Sequence, residues 1–130
     1  MQRITVEQLQ ELTEEQRERL REWWKPEAGD TVKYIYDTDI SIITSHVNDF
    51  NMVLIKGNYR IRTAKGDCTP LLSIGQLIQL LQDKVAYFSM TNMYAGTSEK
   101  LCWGVYKPKL FDIRADELII ALFQACKAVL

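Results

Sequence analysis

The chain has 130 residues, 47% hydrophobic and 25% charged, with a formal net charge of -1 from 16 Lys and Arg against 17 Asp and Glu. That size supports a single domain whose core needs no disulfide or metal staple. The balanced charge gives no overall field to hold a polyanion, so nucleic acid is not an expected partner. No apolar run approaches the roughly 20 residues of a bilayer span. The N-terminus reads as a charged helix, not a secretory signal, so the expected compartment is the cytoplasm and no membrane partner is expected.

The N-terminal arm, residues 1–26, carries two successive helix-start signals, Thr5 with Gln8 and Thr13 with Gln16. In each, a hydroxyl residue is followed three positions later by an amide that can close a capping box. The spacing predicts helices over 6–11 and 14–24, the second limited by Pro26. Glu15 and Arg19 are oriented for an i, i+4 ion pair, and Leu20, Trp23 and Trp24 cluster on one side. The two tryptophans read either as core packing or as an anchor for a protein partner, since large aromatics serve both.

Residues 26–30 read as a turn, followed by strands over 31–36, 40–44, 50–56 and 59–63. Gly57-Asn58 suits a two-residue type II′ turn, because glycine takes the first central position. The register that follows sets Lys56 opposite Tyr59, Ile55 opposite Arg60, Leu54 opposite Ile61 and Val53 opposite Arg62. One face then carries Phe50, Met52, Leu54, Tyr59 and Ile61 and should be covered by helices. The other presents Arg60 and Arg62 beside Ile55 and Val53. It reads as a half-solvated sheet face or as an anion site, because arginines two apart on a strand point the same way. In the second reading Tyr59 or Trp103 helps to grip a nucleotide-like ligand.

Ser73 and Gln76 predict a third capped helix over 73–83, with Ile74, Leu77, Ile78 and Leu81 on its apolar side. Two further strands follow, over 85–90 and 101–106, separated by a polar, glycine-containing loop at 91–100 of the kind that carries binding function. Asp112 is the expected cap of a terminal helix over 115–130. There Leu118, Ile119, Leu122, Phe123, Ala125, Cys126, Val129 and Leu130 cover an apolar arc of roughly 200°. Ile120 falls among its polar residues and is expected to be exposed. The order of elements predicts an α+β fold, a single domain with a mainly antiparallel sheet and helices on one face.

Chemistry-bearing residues are sparse. His46, the sole histidine, falls in a stretch read as an exposed turn, which argues against an oriented base. Asp37 and Asp39 flank a turn residue and have no evident third ligand for a cation. Cys68, Cys102 and Cys126 are odd in number and far apart, the pattern of free thiols rather than a disulfide framework or zinc site. No phosphate-binding glycine loop is present. The expectation is a protein that is not an enzyme and uses no metal or cofactor, with catalysis through His46 as the remaining enzymatic reading.

Three stretches carry a resemblance: Leu12-Thr13-Glu14-Glu15-Gln16 running on to Leu20-Arg21-Glu22-Trp23-Trp24-Lys25-Pro26, then Pro70-Leu71-Leu72-Ser73-Ile74-Gly75-Gln76, then Asp116-Glu117-Leu118 in the terminal helix. Together they resemble a family of short proteins of unassigned function encoded by phages and prophages of Gram-positive bacteria. The resemblance implies an accessory protein acting stoichiometrically in the host cytoplasm by binding a host protein, including in counter-defence. It supplies no catalytic residue. Trp23, Trp24 and Ile120 are the expected interface residues for such a partner, with Trp23 and Ile120 the expected surfaces of a homodimer. The alternative is a protein that binds or sequesters a small anionic ligand through Arg60, Arg62, Tyr59 and Trp103.

Overall fold

A computed structural model describes residues 2–94 and 101–130. The fold is α+β with antiparallel sheets, and the strands divide between two sheets. The chain separates into two compact units, Thr5–Leu72, and Ser73–Leu130 with Met1–Ile4.

The first unit begins with α1 (Val6–Gln10) and α2 (Glu14–Trp23), each opened by a complete capping box. In α2 the Glu15–Arg19 ion pair forms as spaced. β1 (Thr31–Tyr34), β2 (Ile40–Asn48), β3 (Asn51–Lys56), β4 (Tyr59–Thr63) and β5 (Cys68–Pro70) form a sheet in the order β4-β3-β2-β1-β5. Gly57 takes φ +59° whereas Asn58 does not enter positive φ, the signature of the type II′ turn, and every cross-strand pair expected between β3 and β4 forms. Period-two alternation sends Val32, Ile43, Met52, Leu54 and Cys68 to one face, where they form a core with Trp24. Trp24 is 1% exposed, and its indole N–H donates to the Asp30 carboxylate at 2.9 Å. This tryptophan is a core residue, not a surface anchor. Trp23 packs partly buried against the same cluster.

Several boundaries differ from the expected ones. β1 stops at Tyr34, leaving Ile35 and Tyr36 exposed. β2 runs on through His46, with register shifts between Ile43 and Ser45 and between His46 and Asn48. Those bulges break the alternation that marks a strand in sequence. Phe50 lies in the turn after β2 and is 89% exposed, so it does not share the core face, and Tyr59 at the strand end is likewise exposed.

The second unit contains α3 (Ile74–Val85), β6 (Ser89–Tyr94), β7 (Leu101–Lys107), β8 (Phe111–Ala115) and α4 (Leu118–Val129). Ser73 and Gln76 close the predicted capping box of α3. The helix continues through Val85, so the expected strand at 85–90 is displaced to Ser89. β6 takes Thr91–Tyr94, part of the stretch expected as a loop; residues 95–100 of that stretch lie outside the described residues. Phe111–Ala115 is a strand in which Asp112 pairs with Tyr106, so Asp112 does not cap α4. Glu117 holds the cap position without a side-chain hydrogen bond. The sheet order is β6-β7-β8, and α4 packs on β7 and β8 and against α3, with Val105, Phe111, Ile119, Leu122 and Phe123 buried.

Candidate functional site

The open face of the five-stranded sheet is the feature that folding leaves unexplained. Register places Ile42, Ile55 and Arg60 in one row across β2, β3 and β4, and Ser45, Val53 and Arg62 in the next. Ile40, two residues before Ile42, projects from the same side. Ile40 is 45% and Ile42 47% exposed, with Val53 and Ile55 partly covered and both arginines exposed. β-Branched residues suit the strand backbone, which explains why isoleucine and valine occur here; it does not explain their facing solvent.

Among the described residues neither Arg60 nor Arg62 forms an ion pair. Two residues apart on one strand, their Cα atoms lie about 7 Å apart, a spacing at which two guanidinium groups can each take its own carboxylate. No acidic residue projects from these rows. The face therefore joins an apolar strip to a cationic border along the outermost strand, β4.

The structure does not gather the aromatic residues expected beside the arginines. Tyr59 alternates to the opposite face of β4, and Trp103 is half-buried in β7 of the other unit. The arginines thus have no ring from β4 beside them to close a nucleotide clamp. Trp23 and Ile120 also belong to different units, and Ile120 is 38% exposed on α4.

His46 lies half-buried in β2, opposite Met52, with Nε2 3.0 Å from the Asp49 carboxylate. That contact is local, three residues along the chain, and Asp49 is exposed in the turn to β3. No nucleophile is hydrogen-bonded to the ring among the described residues. Asp37 is engaged through both carboxylate oxygens by the Lys56 ammonium, each at 2.6 Å, and its Oδ1 also accepts from the Asp39 N–H at 3.2 Å. The Lys56 contact and that backbone bond hold the Asp37 carboxyl below its ordinary pKa. Among the described residues no group of three His, Cys, Asp or Glu side chains comes together to hold a metal, and no helix is long and apolar enough to cross a membrane.

The arginine pair could be found in sequence because a two-residue turn fixes its register. Ile40 and Ile42 were not singled out with it, since their side depends on which strand pairs with β3, a long-range fact. Comparison with protein-family models, curated proteins and solved structures gives no match to this chain.

Proposed function

We propose that this protein acts without catalysis, by binding an acidic and partly apolar segment of another protein on the open sheet face. The observation that carries the reading is the strip of exposed Ile40 and Ile42 bordered by two arginines that lack carboxylate partners among the described residues. A partner with carboxylates beside apolar side chains supplies what both halves of the face lack, with desolvation at the strip and charge complementarity at its rim. The resemblance to phage and prophage proteins supports a host protein as that partner, met in the host cytoplasm, with counter-defence as the purpose.

The test is affinity capture from host lysates with the wild type and with two variants, Arg60→Glu with Arg62→Glu, and Ile42→Glu. Each variant should lose a partner that the wild type retains, with affinity falling at least about tenfold. All three positions are solvent-facing, so the melting temperature should change little. A wild type that retains nothing from several hosts, or variants that retain the same partner undiminished, would end the reading.

A further inference from the structure

A second feature of the same unit borders that face at its other end, where Lys33 is the cross-strand partner of Ile40. α1, α2, β1, β5 and the 3-10 turn Lys65–Asp67 line a cleft of about 260 Å³. Lys33 of β1 and Thr69 of β5 are cross-strand partners in register, so their side chains rise from one face. Arg21 of α2 reaches the same point and donates from Nη1 to Thr69 Oγ1 at 3.0 Å. Two cationic side chains therefore line the cleft on the side of Thr69.

Their countercharges are unevenly shared. The Glu14 carboxylate accepts from Arg17 Nη2 at 2.9 Å and from Arg21 Nη2 at 3.3 Å. Arg17 also donates from Nη1 to the Leu12 carbonyl at 3.0 Å, so it has a second acceptor besides Glu14. Among the described residues the Lys33 ammonium has only the Tyr34 carbonyl at 3.4 Å, a long contact, and no ion pair. Asp67 lines the cleft but forms no ion pair among the described residues. Three cations thus face two carboxylates in a chain whose net charge is -1. Half-buried like charges lining one cleft repel, and an anion bound among them relieves that repulsion. The remaining wall joins the apolar Val6, Leu9 and Ile35 to Gln10 and Gly66, and among the described residues no aromatic ring lines the cleft for a nucleobase to stack on.

We propose that this cleft binds a small oxyanion carrying a short apolar group, its carboxylate or phosphate headgroup between Lys33 and Arg21 and its alkyl part against Val6, Leu9 and Ile35. At about 30 Å³ per water-sized group, the space holds roughly nine non-hydrogen atoms. Glu14 sits at this site as an internal competitor for Arg21, so its removal should strengthen binding where loss of a carboxylate would otherwise be neutral.

The experiment is titration calorimetry with hexanoate, butyl phosphate and inorganic phosphate as probes. Hexanoate or butyl phosphate should bind saturably, and the tighter of the two identifies the headgroup. Lys33→Met should weaken that binding at least about tenfold, while Glu14→Gln should tighten it several-fold. The Arg60→Glu, Arg62→Glu protein should bind the probe as the wild type does, which separates this site from the open sheet face. Inorganic phosphate binding as tightly as butyl phosphate would overturn the apolar part of the site. Absence of saturable heat with all three probes, or affinity indifferent to both Lys33→Met and Glu14→Gln, would overturn the whole. Should Lys33→Met fail to fold, Glu14→Gln together with probe-induced amide shifts at Lys33, Ile35 and Thr69 in the wild type decides the matter alone.

Discussion

Ala86, at the end of α3, sits at φ 66° and ψ -65°, with the Tyr87 N–H donating to the Val85 carbonyl at 2.8 Å. This is a γ-turn of the rare hand, strained for any residue with a Cβ by about 1–3 kcal/mol. Ala86 is exposed, so glycine would relieve the strain without opening a cavity. Ala86→Gly should therefore raise the melting temperature by a few degrees, after subtracting the about 1 kcal/mol of added unfolded-chain freedom; a fall on thermal denaturation would contradict the account. Burial governs the thiols at the same scale. It pushes Cys68 up to about 11, with the neighbouring Asp67 charge adding and a Thr63 hydrogen bond opposing. Burial alone raises Cys126 further, and its Sγ lies 3.5 Å from the Leu77 carbonyl. Because the thiolate is the reactive form, iodoacetamide at neutral pH should leave both unlabelled in the native protein and label both in denaturant, as peptide mass mapping would show.

Among the elements, the three capping boxes were the most legible. Thr5 with Gln8, Thr13 with Gln16, and Ser73 with Gln76 each form both hydrogen bonds of the box. Such signals are local, so sequence alone carries them. Ser73→Ala removes the acceptor of the Gln76 N–H and should cost about 1 kcal/mol, measured by urea denaturation. What was missed was set by pairing or by context. β5 is three residues ending in proline, with too little length to show alternation, and it becomes a strand only by pairing with β1. β8 alternates cleanly, but its one acidic residue, Asp112, imitates a helix cap. Val85, Tyr87 and Phe88 favour a strand by type, yet Val85 closes the last turn of α3 and the chain must reverse before β6 can begin. The candidate site divides the same way: one hairpin displays Arg60 and Arg62, whereas Lys33, Thr69 and Arg21 meet only through a strand that the sequence does not advertise.

Across the whole molecule, acid should be the destabilising direction. Glu14 is held below its ordinary pKa chiefly by hydrogen bonding to Arg17 and then to Arg21, and Asp37 chiefly by Lys56. Folded values lower than unfolded ones mean a contribution complete above the ordinary carboxylate range and lost as pH falls through the lowered values. The melting temperature should be level from neutral pH to about pH 5 and decline below about pH 4. Asp37→Asn should melt lower than the wild type at neutral pH and converge with it in acid; a constant gap at every pH would refute the assignment. The position of β4 in its sheet has a separate bearing on solubility. An outermost strand offers its backbone to any second copy of the chain, and Arg60 and Arg62 keep two such copies apart by repulsion. Neutral replacements would silence that repulsion and invite self-association through sheet extension, mimicking a loss of function. Reversal to glutamate leaves the strand charged, so a lost partner can be read as lost recognition instead of precipitation.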